Sequence, residues 1–279
     1  MKNEKRHVAE ETHALVRSKD GTLISYQKSG GGRPLLLVGG GLDDGSENLP
    51  LAKALSNDFT VYNYARRGRG ASGNTLPYAV QREVEDIQAL MGVAGEGVGV
   101  FGISSGGALA LIAASYGLPI AKLAVYEVPY ITDDNLAQSW RNYTSALHRL
   151  LQNHQLAEAV ELFMRFAGSG DDSIAAAKES DFWWPLTRLA HTLAYDAACL
   201  GDGRPPKEIS RITRPVLILT GRSVGHSAGM EGLDLAFFDK AAKSISALLP
   251  HALRTTVANE SHIPDSDKIT TILANFFKE

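Results

Sequence analysis

One serine of this chain lies in a sequence setting that can turn a hydroxyl into a nucleophile. Ser104 is the central residue of Gly-x-Ser-x-Gly, between an apolar run over 98–103 and an Ala-rich run typical of a helix. A serine there must turn sharply from strand to helix, and glycines on both sides remove Cβ atoms that would clash. The pattern therefore predicts Ser104 as a nucleophile at the carboxyl edge of a parallel sheet.

A base for this serine stands near the end of the chain. His262 follows a predicted strand over 253–258, and a neutral imidazole in that loop can take the Ser104 proton and return it to a leaving group. His226 is the other histidine in a loop expected near the site, and we predict it as a substrate contact. No His/Asp/Glu cluster has metal-ligand spacing, so we expect neither a metal nor a cofactor.

The negative charge of an acyl-transfer intermediate needs preset hydrogen-bond donors. The backbone N–H of Ser105 is one candidate, and that of Gly40 or Gly41 in a triple glycine is the other. Glycine-rich loops can also cradle phosphate, but the pattern Gly-x-x-x-x-Gly-Lys-Ser/Thr is absent. The loop is therefore interpreted as part of an oxyanion hole.

Predicted strands and helices alternate up to about residue 130, give way to helical patterns only, and alternate again after residue 209. Alternation of this kind predicts an α/β fold with a mostly parallel sheet and helices on both faces. The all-helical block, with predicted helices over 136–151, 156–166, 174–179 and 184–200, is interpreted as an inserted cap. The predicted division is a core of residues 12–130 and 209–279, a cap of residues 131–208, and a flexible lead of residues 1–11.

These motifs together resemble the α/β-hydrolase family, over about residues 13 to 278. Residues 66–73 are similar to the Gly-x-Gly-x-Ser turn of that family, Gly39-Gly40-Gly41 to its oxyanion loop, and Asn259-Glu260-Ser261-His262 to its histidine loop. Within the family the chain looks most like a bacterial serine esterase and lactonase subgroup with Ser-Ser-Gly at the elbow and Tyr-Glu-x-Pro after the sixth strand. The resemblance implies an α/β-hydrolase fold and the order Ser, acid, His.

The acid departs from the usual family pattern. The family commonly supplies it after the seventh strand, where residues 221–227 hold no carboxylate. A variant of the family pattern places the acid after the sixth strand, and Glu127 stands there in this chain. Zearalenone-type lactonases resemble this arrangement. We predict that Glu127 orients His262. The first acids downstream are Glu231 and then Asp234. If Glu127 instead only pins the first residues of the cap, either Glu231 serves as the acid or the site is degraded.

The cap carries an aromatic group around Phe182-Trp183-Trp184-Pro185. We predict Trp183, Trp184 and Tyr130 as substrate contacts, which favours an apolar acyl group, aryl ester or lactone. The arginines of residues 66–69 are interpreted as a structural turn that pairs with carbonyls and acids. Cys199 lies in an Ala-rich stretch and is interpreted as a buried small side chain.

Charge and composition limit the partners. The net charge of −3 makes nucleic acid and an anionic membrane unfavourable partners. A single cysteine allows no internal disulfide and fits the cytoplasm, and no run approaches the length of a membrane span. The expected partner is a small-molecule ester or lactone, and a homodimer is compatible with this reading.

The leading hypothesis is a metal-free serine hydrolase that cleaves a carboxylic ester or lactone through an acyl-enzyme. Two alternatives stay open. One is a non-hydrolytic enzyme on the same scaffold, with cofactor-free haloperoxidase-like, C–C bond-cleaving or lyase activity. The other is a ligand-binding receptor, because fold alone does not fix function.

Overall fold

The apolar runs of the sequence form one eight-stranded sheet in the computed structural model, which describes residues 11–222 and 236–279. Buried β-branched and leucine side chains dominate the central strands, as expected for strands covered on both faces. The strands are β1 (Thr12–Arg17), β2 (Leu23–Gly30), β3 (Arg33–Val38), β4 (Phe59–Tyr64), β5 (Gly99–Ile103), β6 (Lys122–Tyr126), β7 (Val216–Arg222) and β8 (Leu253–Ala258).

The order of the strands brings the predicted site residues to one edge of the sheet. The strands lie in the order β1-β2-β4-β3-β5-β6-β7-β8. Strands β1 and β2 pair antiparallel with their neighbours, and all the other pairs are parallel. The carboxyl ends of the parallel strands therefore meet at a common edge, where the segments after β3, β5, β6 and β8 carry Gly40, Ser104, Glu127 and His262.

Helices cover both faces of the sheet, which confirms the predicted fold class. They are α1 (Leu49–Leu55), α2 (Val80–Ala94), α3 (Ser105–Ser115), α4 (Asp134–Gln152), α5 (Leu156–Phe166), α6 (Asp171–Lys178), α7 (Trp183–Leu189), α8 (Leu193–Leu200), α9 (Phe237–Leu248) and α10 (Ser266–Lys278). Side chains of α1 and α10 pack on one face of the sheet, and those of α2, α3 and α9 on the other. In the part of the chain that is described, no helix combines the length and apolar character needed to cross a bilayer.

Between β6 and β7 the chain forms helices α4 to α8, called the inserted helices below, together with two short 3₁₀ turns. The single helix predicted over 184–200 is wrong, because a 3₁₀ turn at Ala190–Thr192 separates α7 from α8. The Thr192 hydroxyl donates to the carbonyl of Leu189 at 2.7 Å. The backbone stays in the helical region through this turn, with φ −52° and ψ −36° at Ala190 and φ −76° and ψ −11° at Thr192, so the helical sequence pattern continues across the change to 3₁₀ hydrogen bonding.

The turn from β5 into α3 depends on two glycines that permit close backbone contacts. A Cβ at Gly106 would lie 2.3 Å from the carbonyl oxygen of Gly39 and 2.4 Å from that of Val38. A Cβ at Gly102 would lie 2.6 Å from the carbonyl oxygen of Gly106. The start of α3 therefore packs directly on the backbone that follows β3, which brings the glycine loop to Ser104.

We predict that Gly106→Ala destabilises the fold, because its Cβ would meet two backbone oxygens that cannot rotate away. The expected loss is about 1–3 kcal/mol or more in the free energy of unfolding, measured by urea denaturation. Gly92→Ala in α2 is the matched control, because a Cβ there meets nothing within 4 Å. That control should be neutral or stabilising by about 0.5–1 kcal/mol, and equal stability of the two variants would contradict the packing argument.

Candidate active site

The backbone of Ser104 has the strained geometry of an exposed nucleophile at a strand-to-helix turn. Its φ is 54° and its ψ is −128°, a conformation that side-chain-bearing residues rarely adopt. Its N–H donates to the carbonyl of Tyr126 at 2.9 Å, which ties the turn to the end of β6. Strain of this kind persists only where surrounding contacts hold it, and it clusters at functional sites.

The three predicted oxyanion residues surround this serine. Ser105, Gly40 and Gly41 line the same cavity as Ser104. A Cβ at Gly40 would lie 3.2 Å from the Ser104 Cβ, so the glycine loop approaches the nucleophile closely. This approach is what a pair of backbone donors to a tetrahedral intermediate requires.

The structure brings Glu127 and His262 together. The Nδ1 atom of His262 lies 2.8 Å from Oε2 of Glu127, and Oε1 of Glu127 accepts from the N–H of Gly221 at 2.8 Å. A carboxylate has only acceptor atoms, so Nδ1 of His262 carries the proton of this hydrogen bond. Glu127 is 5% exposed and has a φ of 46°, a second strained position at the same edge of the sheet. The arrangement can therefore fix the orientation and tautomer of the imidazole.

Further contacts hold the histidine loop. The ring of Phe238 in α9 stacks on the imidazole of His262, with 4.8 Å between centroids and 14° between the planes. The hydroxyl of Tyr126 donates to the carbonyl of Ser261 at 2.5 Å. Buried Glu260 accepts from the N–H of Asp265 at 2.5 Å and pairs with Lys268 at the same distance. The loop that carries His262 is thus connected to β6, α9 and the start of α10.

Gly221 makes the position of Glu127 compatible with the histidine loop. A Cβ at residue 221 would lie 2.5 Å from the carbonyl oxygen of Glu260 and 3.0 Å from Oε1 of Glu127. Only glycine leaves room there for both groups. The alternative acids Glu231 and Asp234, and the predicted contact His226, lie outside the described residues.

A cavity of about 380 Å³ opens beside Ser104 and His262, a size within the range of small-molecule sites. Its walls are mostly apolar and come largely from the inserted helices. The apolar and aromatic side chains include Ile131, Leu136, Trp140, Tyr143, Val160, Phe163, Met164, Phe166, Leu186, Leu193 and Leu200, and the carboxylate and imidazole groups among the described residues are those of Glu47, Asp196 and His262.

The structure does not bring the predicted substrate contacts Trp183, Trp184 and Tyr130 to this cavity. Trp184 is 71% exposed at the start of α7, and the ring of Trp183 lies 5.9 Å from the ammonium of Lys178. Tyr130 is completely buried, and its hydroxyl has no hydrogen-bond partner among the described residues. The motif Phe-Trp-Trp-Pro starts a short helix in which Trp183 packs half-buried against the hydrophobic core and Trp184 is exposed, so neither ring lines the cavity.

Several wall residues were missed or only partly anticipated in the sequence. Val160, Phe163, Met164 and Ala167 follow the i, i+3, i+4, i+7 spacing of one helical face, and this spacing could have indicated a common wall. Trp140 and Tyr143 pack with Phe166, and the rings of Tyr143 and Phe166 stack at 4.6 Å. Asp196 had no local sequence signal, because its role depends on residues more than 90 positions away.

Two other titratable groups near the site have shifted pKa values. Glu47 lies at the cavity wall. Burial, which disfavours the charged form, and the nearby Asp43 carboxylate raise the pKa of the Glu47 carboxyl to about 7. Burial and the Glu83 carboxylate raise the pKa of the Cys199 thiol to about 12. A thiol with that pKa stays protonated and unreactive at neutral pH, in keeping with a buried small side chain.

Metal ligation has no candidate cluster in residues 11–222 and 236–279. No group of three or more histidine, cysteine, aspartate or glutamate side chains there is arranged to hold a metal ion.

Comparison with known proteins defines the family. The sequence model of the Alpha/beta hydrolase family matches residues 35–267, and the chain belongs to this family. An alpha/beta hydrolase from Sphaerobacter thermophilus DSM 20745 is 38% identical, with 95% of this chain and all of that chain covered and a TM-score of 0.83. The resemblance inferred from the elbow, the glycine loop and the histidine loop is confirmed at the level of family and fold.

More distant solved structures share the fold. The enol-lactonase from Burkholderia xenovorans LB400 is 20% identical with a TM-score of 0.68, and the alignment covers 95% of this chain and all of that one. A thermophilic esterase from Thermogutta terrifontis is 15% identical with a TM-score of 0.65, covering 96% and 98% of the two chains. At these identities the likeness concerns the fold.

We predict that Glu127→Gln lowers turnover of an ester substrate by up to about 10⁴-fold with little change in the melting temperature. The amide can still accept from Gly221, but its NH₂ group would face Nδ1 and favour the wrong imidazole tautomer. The measurement is kcat with a p-nitrophenyl ester. Glu231→Gln is the comparison variant and should cost much less. A larger loss from Glu231→Gln would move the acid into residues 223–235.

Proposed function

We propose that this protein is a serine hydrolase that cleaves a carboxylic ester or lactone of an apolar small molecule through an acyl-enzyme. The observation that carries the proposal is the 2.8 Å hydrogen bond between Glu127 and His262. His262 lines the same cavity as Ser104, whose backbone is strained. A nucleophile, an oriented base and preset donors at one place are the parts that acyl transfer needs. Family membership fits the same conclusion.

The first half of the reaction forms the acyl-enzyme. In this proposal Nε2 of His262 accepts the proton of Ser104 as its Oγ attacks the carbonyl carbon of the substrate. The carbonyl π electrons move to the oxygen, which becomes an oxyanion held by the N–H groups of Ser105 and the glycine loop. The C–O bond then breaks, and the imidazolium returns its proton to the leaving alkoxide. Glu127 stabilises the imidazolium throughout.

The second half of the reaction releases the acid. Water gives a proton to His262 as its oxygen attacks the ester of Ser104, the same donors hold the new oxyanion, and Ser104 leaves with the proton back on its Oγ. For a lactone the alkoxide expelled in the first half stays attached to the acyl chain, so the product is a single hydroxy acid. An ester instead gives a separate alcohol and acid.

The cavity wall supports an apolar substrate. Burying apolar substrate surface contributes about 25 cal/mol per Å², and the aromatic and aliphatic side chains from α4, α5 and α8 offer such surface beside Ser104. In this proposal the inserted helices act as a cap that sets substrate choice. The predictions of a cytoplasmic location, of no cofactor, and of no nucleic-acid or membrane partner stay predictions, as does a homodimer.

We expect a fluorophosphonate probe to label the wild-type protein at Ser104, because only an activated serine reacts rapidly with it. Ser104→Ala should lose the label and nearly all turnover of p-nitrophenyl esters and aryl lactones, with residual rates of ~10³ over water. Peptide mapping distinguishes Ser104 from the adjacent Ser105. Labelling at Ser105 would contradict the assignment. Labelling at Ser104 without hydrolysis of any ester or lactone would favour the non-hydrolytic enzyme or the receptor.

We predict that Phe163→Ala changes the preference among esters, because its side chain lines the cavity and truncation lengthens the space for the acyl chain. The ratio of kcat/KM for p-nitrophenyl octanoate to that for the acetate should rise by about tenfold, in the range that one pocket contact contributes. Phe182→Ala is the matched control, since that ring is 75% exposed. Equal effects of Phe163→Ala on all esters would mean that α5 covers the cavity without setting the substrate preference.

A further inference from the structure

The turn after β4 contains three arginines whose side chains are almost completely removed from water. Arg66 and Arg69 are 1% exposed, and Arg67 is 0% exposed. Charges are buried in proteins only when they are paired, so each of these side chains needs a partner. Two of the three, Arg66 and Arg69, bond the glycine loop and Asp196 of the inserted helices as well as stabilising the turn.

Arg67 has the structural role expected from the sequence. Its Nε and Nη2 atoms donate to the two oxygens of Asp86 at 2.8 and 2.7 Å, and Nη1 donates to Asp20 at 2.9 Å. These bonds join the turn to α2 and to the hairpin between β1 and β2. None of the hydrogen bonds of this side chain reaches the cavity beside Ser104.

Arg66 and Arg69 contact the backbone of the oxyanion loop. Nη1 of Arg66 donates to the carbonyl of Gly39 at 3.4 Å, and Nη1 of Arg69 donates to the carbonyl of Gly40. In a trans peptide the C=O and the next N–H point in opposite directions. Holding these two carbonyls on the arginine side therefore directs the N–H groups of Gly40 and Gly41 away from it.

Asp196 of α8 joins the two arginines to the remaining oxyanion residue. Its Oδ1 atom accepts from Nη1 of Arg66 at 2.8 Å, from Nη2 of Arg69 at 2.6 Å and from the hydroxyl of Ser105 at 2.7 Å. The second serine of the Ser-Ser-Gly motif is therefore the residue whose hydroxyl binds Asp196. The Oδ1 atom of Asp196 thus bonds Ser105 directly and is linked to the glycine loop through Arg66 and Arg69.

The charges of the group balance. Arg66 also makes a bidentate pair with Glu83 of α2, at 2.8 and 2.7 Å, and Glu83 accepts from Tyr78. Two guanidinium groups thus face two carboxylates, with Arg66 and Glu83 each 1% exposed and Asp196 at the cavity wall. Removing one partner from such a buried set leaves an unpaired charge, so the geometry is rigid.

We propose that Arg66, Arg69 and Asp196 are positioning residues for the oxyanion hole, and that the inserted helices complete this hole by supplying Asp196. The inference rests on the proposed hydrolase function. Donors that are preset where charge develops need no reorganisation during the reaction, and this is a large contribution to rate. The three residues contribute to the reaction by orienting backbone dipoles, without touching the substrate carbonyl.

Arg69→Lys and Arg67→Lys form a matched pair that tests the inference. Both arginines are buried in one turn, and both changes keep the charge but remove the planar fork. A lysine at position 69 has a shorter reach and a single nitrogen, so it does not reproduce the two-nitrogen fork that bonds Asp196 and the carbonyl of Gly40. We expect Arg69→Lys to lower kcat for p-nitrophenyl butyrate by at least about tenfold, below the 10²–10³ that removal of a whole donor costs, with less than about threefold change in KM.

Inhibition by benzeneboronic acid separates oxyanion positioning from general damage. This acid forms a tetrahedral adduct with the nucleophilic serine, so its Ki reports on the oxyanion hole, whereas the KM of the ester reports mainly on the cavity. Arg69→Lys should raise the Ki by about the same factor as it lowers kcat. Arg67→Lys should leave kcat and Ki within about threefold of wild type, whatever its effect on the melting temperature.

Ser105→Ala provides the second variant if Arg69→Lys does not fold. It removes one hydroxyl contact to Asp196, keeps the four charges, and should lower kcat and boronate affinity by several-fold at an unchanged melting temperature. Equal kcat and Ki for Arg69→Lys and Arg67→Lys, or wild-type values for Ser105→Ala, would overturn the inference while the hydrolase function stands. A wild-type protein that neither cleaves esters nor reacts with a fluorophosphonate would overturn the proposed function and this inference with it.

Discussion

The close packing of two backbone segments at the elbow is the constraint on which the site depends. The first turn of α3 lies against the backbone after β3, and Gly106 allows this contact because it has no Cβ. That contact fixes Ser104 in its strained conformation and brings Ser105 next to the glycine loop. Ser104 and the candidate oxyanion donors therefore follow two adjacent parallel strands, β3 and β5, and need no long side chains to meet. The buried ionic group around Arg69 stabilises the same junction through hydrogen bonds to the carbonyls of Gly39 and Gly40.

Glu127 shows how a parallel sheet can bring a carboxylate to the histidine loop from either of two neighbouring strands. Strands β6 and β7 are neighbours, so residues at their carboxyl ends lie within reach of one loop. The family commonly takes its acid from the segment after β7, and here a carboxylate after β6 bonds His262 instead. The absence of a side chain at Gly221 makes this possible, because that backbone N–H then binds the second oxygen of Glu127. The acid and the glycine therefore work as a pair.

The inserted helices contact the site in two chemically different ways. Helices α4 and α5 present aromatic and aliphatic side chains to the cavity. Helix α8 instead supplies Asp196, which bonds two arginines and Ser105 beneath the glycine loop. A segment that covers the cavity is thus also tied by charge to the backbone donors. Displacing α8 would leave both guanidinium groups short of a partner.

The sequence by itself determined the fold class and indicated which residues meet at one edge of the sheet, because both depend on local patterns. Apolar runs separated by helical periods predict the parallel sheet, and glycines around Ser104 have meaning only in a strand-to-helix turn. Ser104, Glu127 and His262 each follow a predicted strand, so their common edge could be inferred from the parallel order alone. The tertiary structure decided which side chains surround the ligand space and what the buried arginines do. Trp184 is exposed while Phe163 lines the cavity, and Asp196 reaches Arg69 across more than 120 residues. Such contacts depend on how the inserted helices pack on the sheet. Helical periodicity in the sequence indicates which face of a helix is apolar, but it does not indicate which element packs against that face.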